Sequence, residues 1–332
     1  MGGKGTGAAP QPSGISFVAT PVTAIVLCKN EERNLERTLR SVAGWCNDIH
    51  VVDSGSTDRT LEIARRFTGS IHHHQYFDHG SQWRWAIQSL PVANDWLLLL
   101  DADFEVSQEL KGLIERAIQR RDAGSPDGYF VIHRQVFRGQ QIRFGGTKKW
   151  WLRLVRRSKA SIDSSEFVDF RVSTQGPVGK LRAPIYEHNR NEDDIDFWID
   201  KHQKFAARTA VEEILRRREL LSWTLKPAFF GNADQRIVWL KLRWYRAPRY
   251  LRPVVYFLYR YVFRLGFLDG WQGFLFHFLQ AYWFRLLVDI KIGEIENQLA
   301  CGEATLESLL EGVRPKLRSE NIGSDPIGVG AP

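Results

Sequence analysis

The sequence predicts an α/β fold with a mostly parallel central sheet, on three observations. Short apolar runs alternate with stretches of helical periodicity through the first 120 residues. The sharpest run, Trp96-Leu97-Leu98-Leu99-Leu100, has no polar break, as in a strand buried on both faces. Three of the runs end in polar or acidic residues, and open α/β sheets bind ligands at the carboxyl ends of their strands.

Residues 22–27 form a compact apolar strand. Asn30 is expected to cap the next helix, with Glu31 and Glu32 in its first turn, where the helix dipole favours acids. Leu35, Leu39 and Val42 repeat at helical spacing, and Gly44 ends the element. Residues 49–52 form a second strand that runs into Asp53, and Ser54-Gly55-Ser56-Thr57-Asp58 supplies a turn and a second cap. Leu61, Ala64 and Phe67 mark the next helical face, residues 69–76 a short strand, and residues 81–90 a helix. The acidic strand follows, then a helix over 107–120. Such alternation indicates right-handed βαβ units. Residues 127–188 change character, with β-like stretches at 129–136, 141–144, 151–155 and 167–172 broken by Gly and Pro. A single helix is expected over 193–221, and aromatic-rich helices from 236 onward.

With 332 residues, 43% of them hydrophobic, the chain can bury a sizeable core. Cys28, Cys46 and Cys301 have neither metal-ligand spacing nor a disulfide pattern, which fits a reducing compartment. Residues 1–17 lack an apolar run and read as a disordered lead-in, not a signal peptide. The expected divisions are 18–225 for the α/β domain, 226–312 for an amphipathic helical region, and 313–332 for a flexible tail.

The residues with chemical potential stand at three strand ends: Lys29-Asn30-Glu31, Asp53-Ser54-Gly55-Ser56 and Asp101-Ala102-Asp103. Alternate residues of a strand share a face, so Asp101 and Asp103 can aim at one point. Paired carboxylates suit a hard divalent cation, which in turn suits a diphosphate. Each piece alone also has a plain structural reading, Asp53 as a turn acid and Asp-x-Asp as a strand stop. Their succession at consecutive βα units is more specific.

Residues 22–31, Val51-Val52-Asp53-Ser54-Gly55-Ser56-Thr57-Asp58 and 96–103 resemble family 2 glycosyltransferases of the GT-A nucleotide-diphospho-sugar transferase fold. Within that family, His79-Gly80-Ser81-Gln82-Trp83-Arg84-Trp85-Ala86 and Arg264-Leu265-Gly266-Phe267-Leu268-Asp269-Gly270 resemble the bacterial lipopolysaccharide-core β-glucosyltransferase group. The resemblance implies a nucleotide-sugar donor held by Asn30, Glu31, Asp53, Arg84 and Asp101. It implies Mg²⁺ or Mn²⁺ on Asp103, with Asp101 and His188 nearby. It also implies inversion at the anomeric carbon, with a carboxylate taking the acceptor's proton. Glu166 is the first choice for that base, Asp169 the second and Asp163 the third. Two departures fall near the donor site: Phe104 intervenes before Glu105, and Arg84 stands where the group usually has Asn. Arg153 and Arg156 are candidate phosphate or acceptor contacts. His72-His73-His74 cannot all meet one ion on a strand, because neighbours face opposite ways.

The end of the chain interleaves arginines with aromatics over 245–264, followed by 15 residues without charge between Asp269 and Arg285. Spanning a bilayer takes about 20 apolar residues. A helix lying in an anionic membrane interface is expected instead, with Trp271, Tyr282 and Trp283 at the boundary. The implied acceptor is a saccharide or lipid-linked saccharide of a cell-envelope glycan, lipopolysaccharide or exopolysaccharide, at the inner face of the cytoplasmic membrane. The rivals are an inactive scaffold of the same fold and a sugar-nucleotide pyrophosphorylase, though Cys28-Lys29-Asn30-Glu31 lacks the latter's Gly-rich basic loop. A dinucleotide dehydrogenase is disfavoured because no Gly-x-Gly-x-x-Gly follows Leu27. Nucleic acid is not an expected partner, since no recognition motif accompanies the basic stretch.

Overall fold

The computed structural model describes residues 19–120, 124–163, 171–221, 223, 226–230 and 233–311. Glu166, Asp169, the lead-in over 1–17 and the tail from 313 lie outside them. In chain order the elements are β1 (Thr20–Cys28), α1 (Leu35–Val42), β2 (Cys46–Asp53), α2 (Thr60–Arg65), β3 (Ile71–His73), α3 (His79–Ser89), β4 (Trp96–Asp101), β5 (Phe104–Val106) and α4 (Gln108–Ile118). Then come β6 (Gly128–Phe137), β7 (Gln140–Gln141), β8 (Lys149–Arg156), β9 (Ala160–Asp163), β10 (Arg171–Thr174) and β11 (Val178–His188). Five helices follow: α5 (Ile195–Arg217), α6 (Ala233–Arg246), α7 (Leu251–Leu258), α8 (Gly270–His277) and α9 (Phe284–Ala300).

The main sheet runs β3-β2-β1-β4-β8-β6-β11-β5, with β7 on β6. From β3 to β4 the pairs are parallel. Strand β8 enters antiparallel between β4 and β6, β11 pairs parallel with β6, and β5 closes the edge antiparallel to β11. The unbroken apolar runs follow from this arrangement, because both faces of the sheet are covered. Val22, Ala24, Val26, Leu98 and Leu100 pack with Leu35, Leu39, Leu110 and Ile114 of α1 and α4. Ile25, Leu27, Leu97 and Leu99 pack with Trp83, Ala86 and Ile87 of α3.

Several sequence expectations shift. The helix after β1 starts at Leu35, not after Asn30. Asn30 has a left-handed backbone (φ 55°), and its side chain accepts the Thr57 amide at 2.8 Å, tying the β1 loop to the β2 loop. The strand expected at 141–144 shortens to Gln140–Gln141. Strands β5, β9 and β11 are additional to the sequence reading. The long helix runs Ile195–Arg217, with the Asp194 side chain accepting the Asp196 amide at its start.

Beyond α5 the chain builds a helical layer. Ala206, Ala210 and Ile214 of α5 let Val288 and Ile292 of α9 approach closely. Arg252 of α7 is buried between Glu213 of α5, at 2.8 Å, and Asp289 of α9. The guanidinium also donates to the Trp244 carbonyl of α6 at 2.8 Å, so this network joins four helices, α5, α6, α7 and α9. Residues 264–270 strap the layer to the sheet. Asp269 accepts the amides of Arg143 and Phe144 at 3.0 and 2.9 Å, and the Gly145 amide donates to the Arg264 carbonyl at 2.9 Å. Gly145 is required here, since a Cβ would lie 2.0 Å from Cε1 of buried His277 and its φ is +70°.

Candidate active site

Strands β1, β2 and β4 are parallel, so their last residues come to one edge of the sheet. Register places Cys28 beside Asp53 and Leu27 beside Asp101. Strand β11 brings Glu187 to the same edge, opposite Gln135 of β6 and Phe104 of β5. The edge therefore gathers Glu31, Asp53, Asp101, Asp103 and Glu187 from separate loops.

Each acid is handled differently. Asp53 is buried and accepts the amides of Gly55 at 2.9 Å and Ser56 at 3.0 Å. It thus closes its own turn, the structural role allowed for it by sequence, while holding the loop that carries Ser54 to Ser56 in place. Glu31 accepts from the Asn34 side chain at 2.7 Å, yet burial pushes its carboxyl up to about 7. Asp101 is gripped on both oxygens, by His79 Nε2 at 3.2 Å and Arg153 Nη2 at 2.9 Å. Burial opposes its ionisation, but Arg153 and then His79 hold its carboxyl well below the ordinary range.

Asp103 is the opposite case. Its carboxylate has no hydrogen-bond partner among the described residues, and burial, then Glu187, Glu31 and Asp101, drive its carboxyl well above the ordinary value. Lys201 of α5 offsets this, and Arg37 is a second cation that feels Asp103. That lysine is shared with Glu192, whose carboxylate lies 2.5 Å from its ammonium. A carboxyl destabilised by negative neighbours gains from any cation placed on it, so the donor set around Asp103 fits a hard divalent ion.

His188 does not face this cluster in the way its neighbour does. Adjacent strand residues point to opposite faces. Glu187 meets His133 at 2.6 Å and Gln135 at 3.2 Å, whereas the His188 ring lies 3.1 Å from Glu105. Glu105 lines a cleft of about 760 Å³ with Arg37, Lys111 and Arg190. Among the described residues no group of three His, Cys, Asp or Glu side chains stands assembled to hold a metal ion. Arg84 sits partly buried on α3, next to the fully buried Trp83. Arg153 belongs to the cluster. Arg156 does not: it lies at the other end of β4, over the Trp96 ring at 4.5 Å and 3.2 Å from Asp95. The three consecutive histidines diverge, His72 onto His50 at 2.9 Å, His73 towards Asp53 at 3.9 Å, and His74 stacked on Trp85.

His79, Glu187, His133 and Lys201 are the members that sequence reasoning passed over. Two had a signal. His79 opens the stretch that resembles the subgroup, and Glu187 stands beside the histidine that was chosen. His133 and Lys201 had none, since their places depend on β6–β11 pairing and on where α5 lands.

The model described as Glycosyl transferase family 2 matches residues 23–171. An uncharacterized glycosyltransferase of Rickettsia typhi is 32% identical over 120 residues, 36% of this chain and 40% of the relative. The chain thus spans less than half the length of that relative. LpsC of Rhizobium meliloti, a lipopolysaccharide core biosynthesis glycosyltransferase, is 26% identical over 204 residues, 58% of this chain and 72% of the relative. Among solved structures, glucosyl-3-phosphoglycerate synthase from Mycobacterium tuberculosis is similar at a TM-score of 0.40 and 12% identity, over 65% of this chain and 88% of that one. Residues 23–171, which carry β1, β2, β4 and both acids of Asp101-Ala102-Asp103, are thus the part of the chain that is similar to glycosyl transferase family 2.

Proposed function

We propose that this glycosyltransferase moves a sugar from a nucleotide-sugar donor to a saccharide or lipid-linked saccharide acceptor of a cell-envelope glycan, with inversion at the anomeric carbon. The observation that carries the reading is the contrast between Asp101 and Asp103. One acid is fully compensated by Arg153 and His79. The other is left with negative neighbours and a raised carboxyl at the same sheet edge.

In this reading Asp103 would hold Mg²⁺ or Mn²⁺, with Asp101 and His188 as the further candidate ligands and Glu187 and Glu31 contributing negative potential. When bound, the metal supplies a Lewis acid that offsets charge on the departing nucleoside diphosphate. Asp101, kept ionised, accepts from the ribose or positions a phosphate through the Arg153 guanidinium it holds. The loops sewn together by Asn30 and Thr57, with Asp53 bracing the second, form a floor for the base, and Arg84 of α3 borders the donor. Glu166, or Asp169 in its place, takes the proton of the acceptor hydroxyl as that oxygen bonds to the anomeric carbon. The bond from that carbon to the diphosphate oxygen breaks on the opposite face, which inverts the centre. The role of the Rhizobium meliloti relative in lipopolysaccharide core biosynthesis supports lipopolysaccharide core as the acceptor class.

The test is a thermal-shift screen of nucleotide sugars, each with and without Mn²⁺. A ligand that binds only the native state raises the melting temperature by mass action. A metal-dependent shift with one nucleotide family, absent in Asp103→Ala, is the expected result. A shift that Asp103→Ala retains in full would remove Asp103 from the donor site. No shift with any donor, in the presence of saccharide acceptor, would leave a scaffold.

A further inference from the structure

Helix α7 and the π-helical turn after it, Tyr259–Phe263, are built inside out. Leu251, Val255, Leu258 and Val262 recur at helical spacing, and all four are exposed, at 56%, 56%, 44% and 45%. Phe263 beside them is 76% exposed. The polar side of the same segment is the buried one, with Arg252 enclosed by Glu213 and Asp289, and Arg260 donating to the Gly145 carbonyl at 2.8 Å. An amphipathic helix in a water-soluble surface would be rotated the other way. Here the charged side is consumed by the layer's own ion pairs, so the apolar stripe has been turned outward.

We propose that this stripe is a docking face for an anionic lipid bilayer, entered to interfacial depth. The apolar surface is continuous with Phe267 and Leu268 on the strap and with Trp271, which is 67% exposed. Across residues 226–271 there are nine Lys and Arg against two Asp. Arg243, Arg246 and Arg264 are exposed, and Arg264 lies along Tyr259, its Nη1 3.1 Å from the phenol oxygen. Arginine heads beside an apolar stripe match anionic headgroups above acyl chains. The same charge opposes pairing of two copies through this face. No helix among the described residues is long and apolar enough to cross a membrane, so the contact is peripheral. The surface also differs from the one the sequence suggested. Tyr282 and Trp283 are partly covered, Trp283 against Trp198, and only Trp271 of that trio is turned out.

The strap fixes where the bilayer lies. Asp269 binds the loop after β7, whose first residue, Ile142, donates its amide to the Gln135 carbonyl at 2.9 Å, and the Gln135 side chain in turn donates to Glu187 at 3.2 Å. Lipid under the stripe is therefore presented at the sheet edge that gathers the acids. A lipid-borne acceptor follows only if the glycosyl-transfer reading holds, whereas docking stands without it.

The test is co-sedimentation of the full chain with phosphatidylglycerol/phosphatidylcholine vesicles and with pure phosphatidylcholine, at low and high salt. The wild type is expected to pellet with the anionic vesicles, less at high salt. Val255→Asp/Leu258→Asp/Phe263→Asp is expected to stay in the supernatant with its donor-induced thermal shift intact. Should that variant fail to fold, Arg243→Gln/Arg246→Gln/Arg264→Gln reads the electrostatic half, with an expected loss of about 100-fold in affinity for anionic vesicles. Wild type remaining in solution at low salt, equal binding of either folded variant, or a concentration-dependent dimer that the triple Asp change abolishes without any vesicle binding would each overturn the proposal. A donor shift without vesicle binding leaves the enzyme reading standing. Vesicle binding without a donor shift does the reverse.

Discussion

Arg153 Nη2 lies 2.9 Å from Asp101 Oδ2, and the guanidinium also sits over the rings of Trp151 and Phe104 at 4.9 and 5.0 Å. The cation is thus fixed by stacking before any ligand arrives, and the carboxylate is fixed by the cation. Arg153→Met is expected to lower kcat/KM at least tenfold and to destabilise the fold by about 3 kcal/mol, the lower end for breaking a buried pair. Arg153→Lys should recover part of the stability and little of the activity, because it keeps charge without the planar fork. The sign with pH follows from the depressed carboxyl. The pair's contribution is complete above the ordinary value of 3.8 and is lost as pH falls towards the depressed folded-state value, so the wild-type advantage should shrink on acidification. Urea melts at pH 7 and pH 3 check it.

Asp103→Asn is expected to abolish the Mn²⁺-dependent part of donor binding. Glu187→Gln should weaken it by about 10-fold to 100-fold, as loss of a group behind a ligand does. Calorimetric titration of Mn²⁺ with nucleoside diphosphate present separates the two. Equal, small effects would place the ion elsewhere.

Arg252→Leu should cost about 3–5 kcal/mol, since it leaves Glu213 and Asp289 buried without a cation. Glu213→Gln, which leaves the Asp289 pair, should cost less. Chemical denaturation of both variants ranks them, and equal losses would mean the layer is held by packing alone.

His277 is fully buried, both ring nitrogens lack hydrogen-bond partners, and burial brings its imidazole down to about 3. The unfolded chain binds this proton near 6.5, so stability is complete above that pH and declines as pH falls from 6.5 towards 3. His277→Leu removes the term. Its melting temperature relative to wild type should rise between pH 7 and pH 4, and a parallel pH course in the two proteins would refute the assignment.

Much of the sheet was legible because β1 and β4 are covered on both faces and so must read as continuous apolar runs. The acids at their ends followed from position alone. Asn30 misled because an Asn before two glutamates matches a helix cap, and only the β2 loop, 27 residues on in sequence at Thr57, shows what its side chain binds. Strand β11 was hidden by alternating exposure and by Pro184, which falls where its register with β6 slips. Only that strand shows that Glu187 meets His133 while the His188 ring lies by Glu105. The orientation of α7 was illegible for a deeper reason. Its apolar spacing is the ordinary sign of a core face, and only the partners of Arg252 reveal that the core lies on the other side.

The strap at Asp269 also sets a timetable. Its hydrogen bonds to Phe144 and Arg143 span 125 and 126 residues. At about 5–20 residues per second on the ribosome, the loop after β7 waits roughly 6–25 s for its partner to emerge. Arg252 of α7 emerges after Glu213 and before Asp289, so it has one of its two carboxylate partners until α9 is made. Every strand of the sheet precedes α7 in the chain, so the sheet can be complete while the helical layer still lacks α9. Locking of the helical layer, through Asp289 of α9, is therefore the last step of assembly.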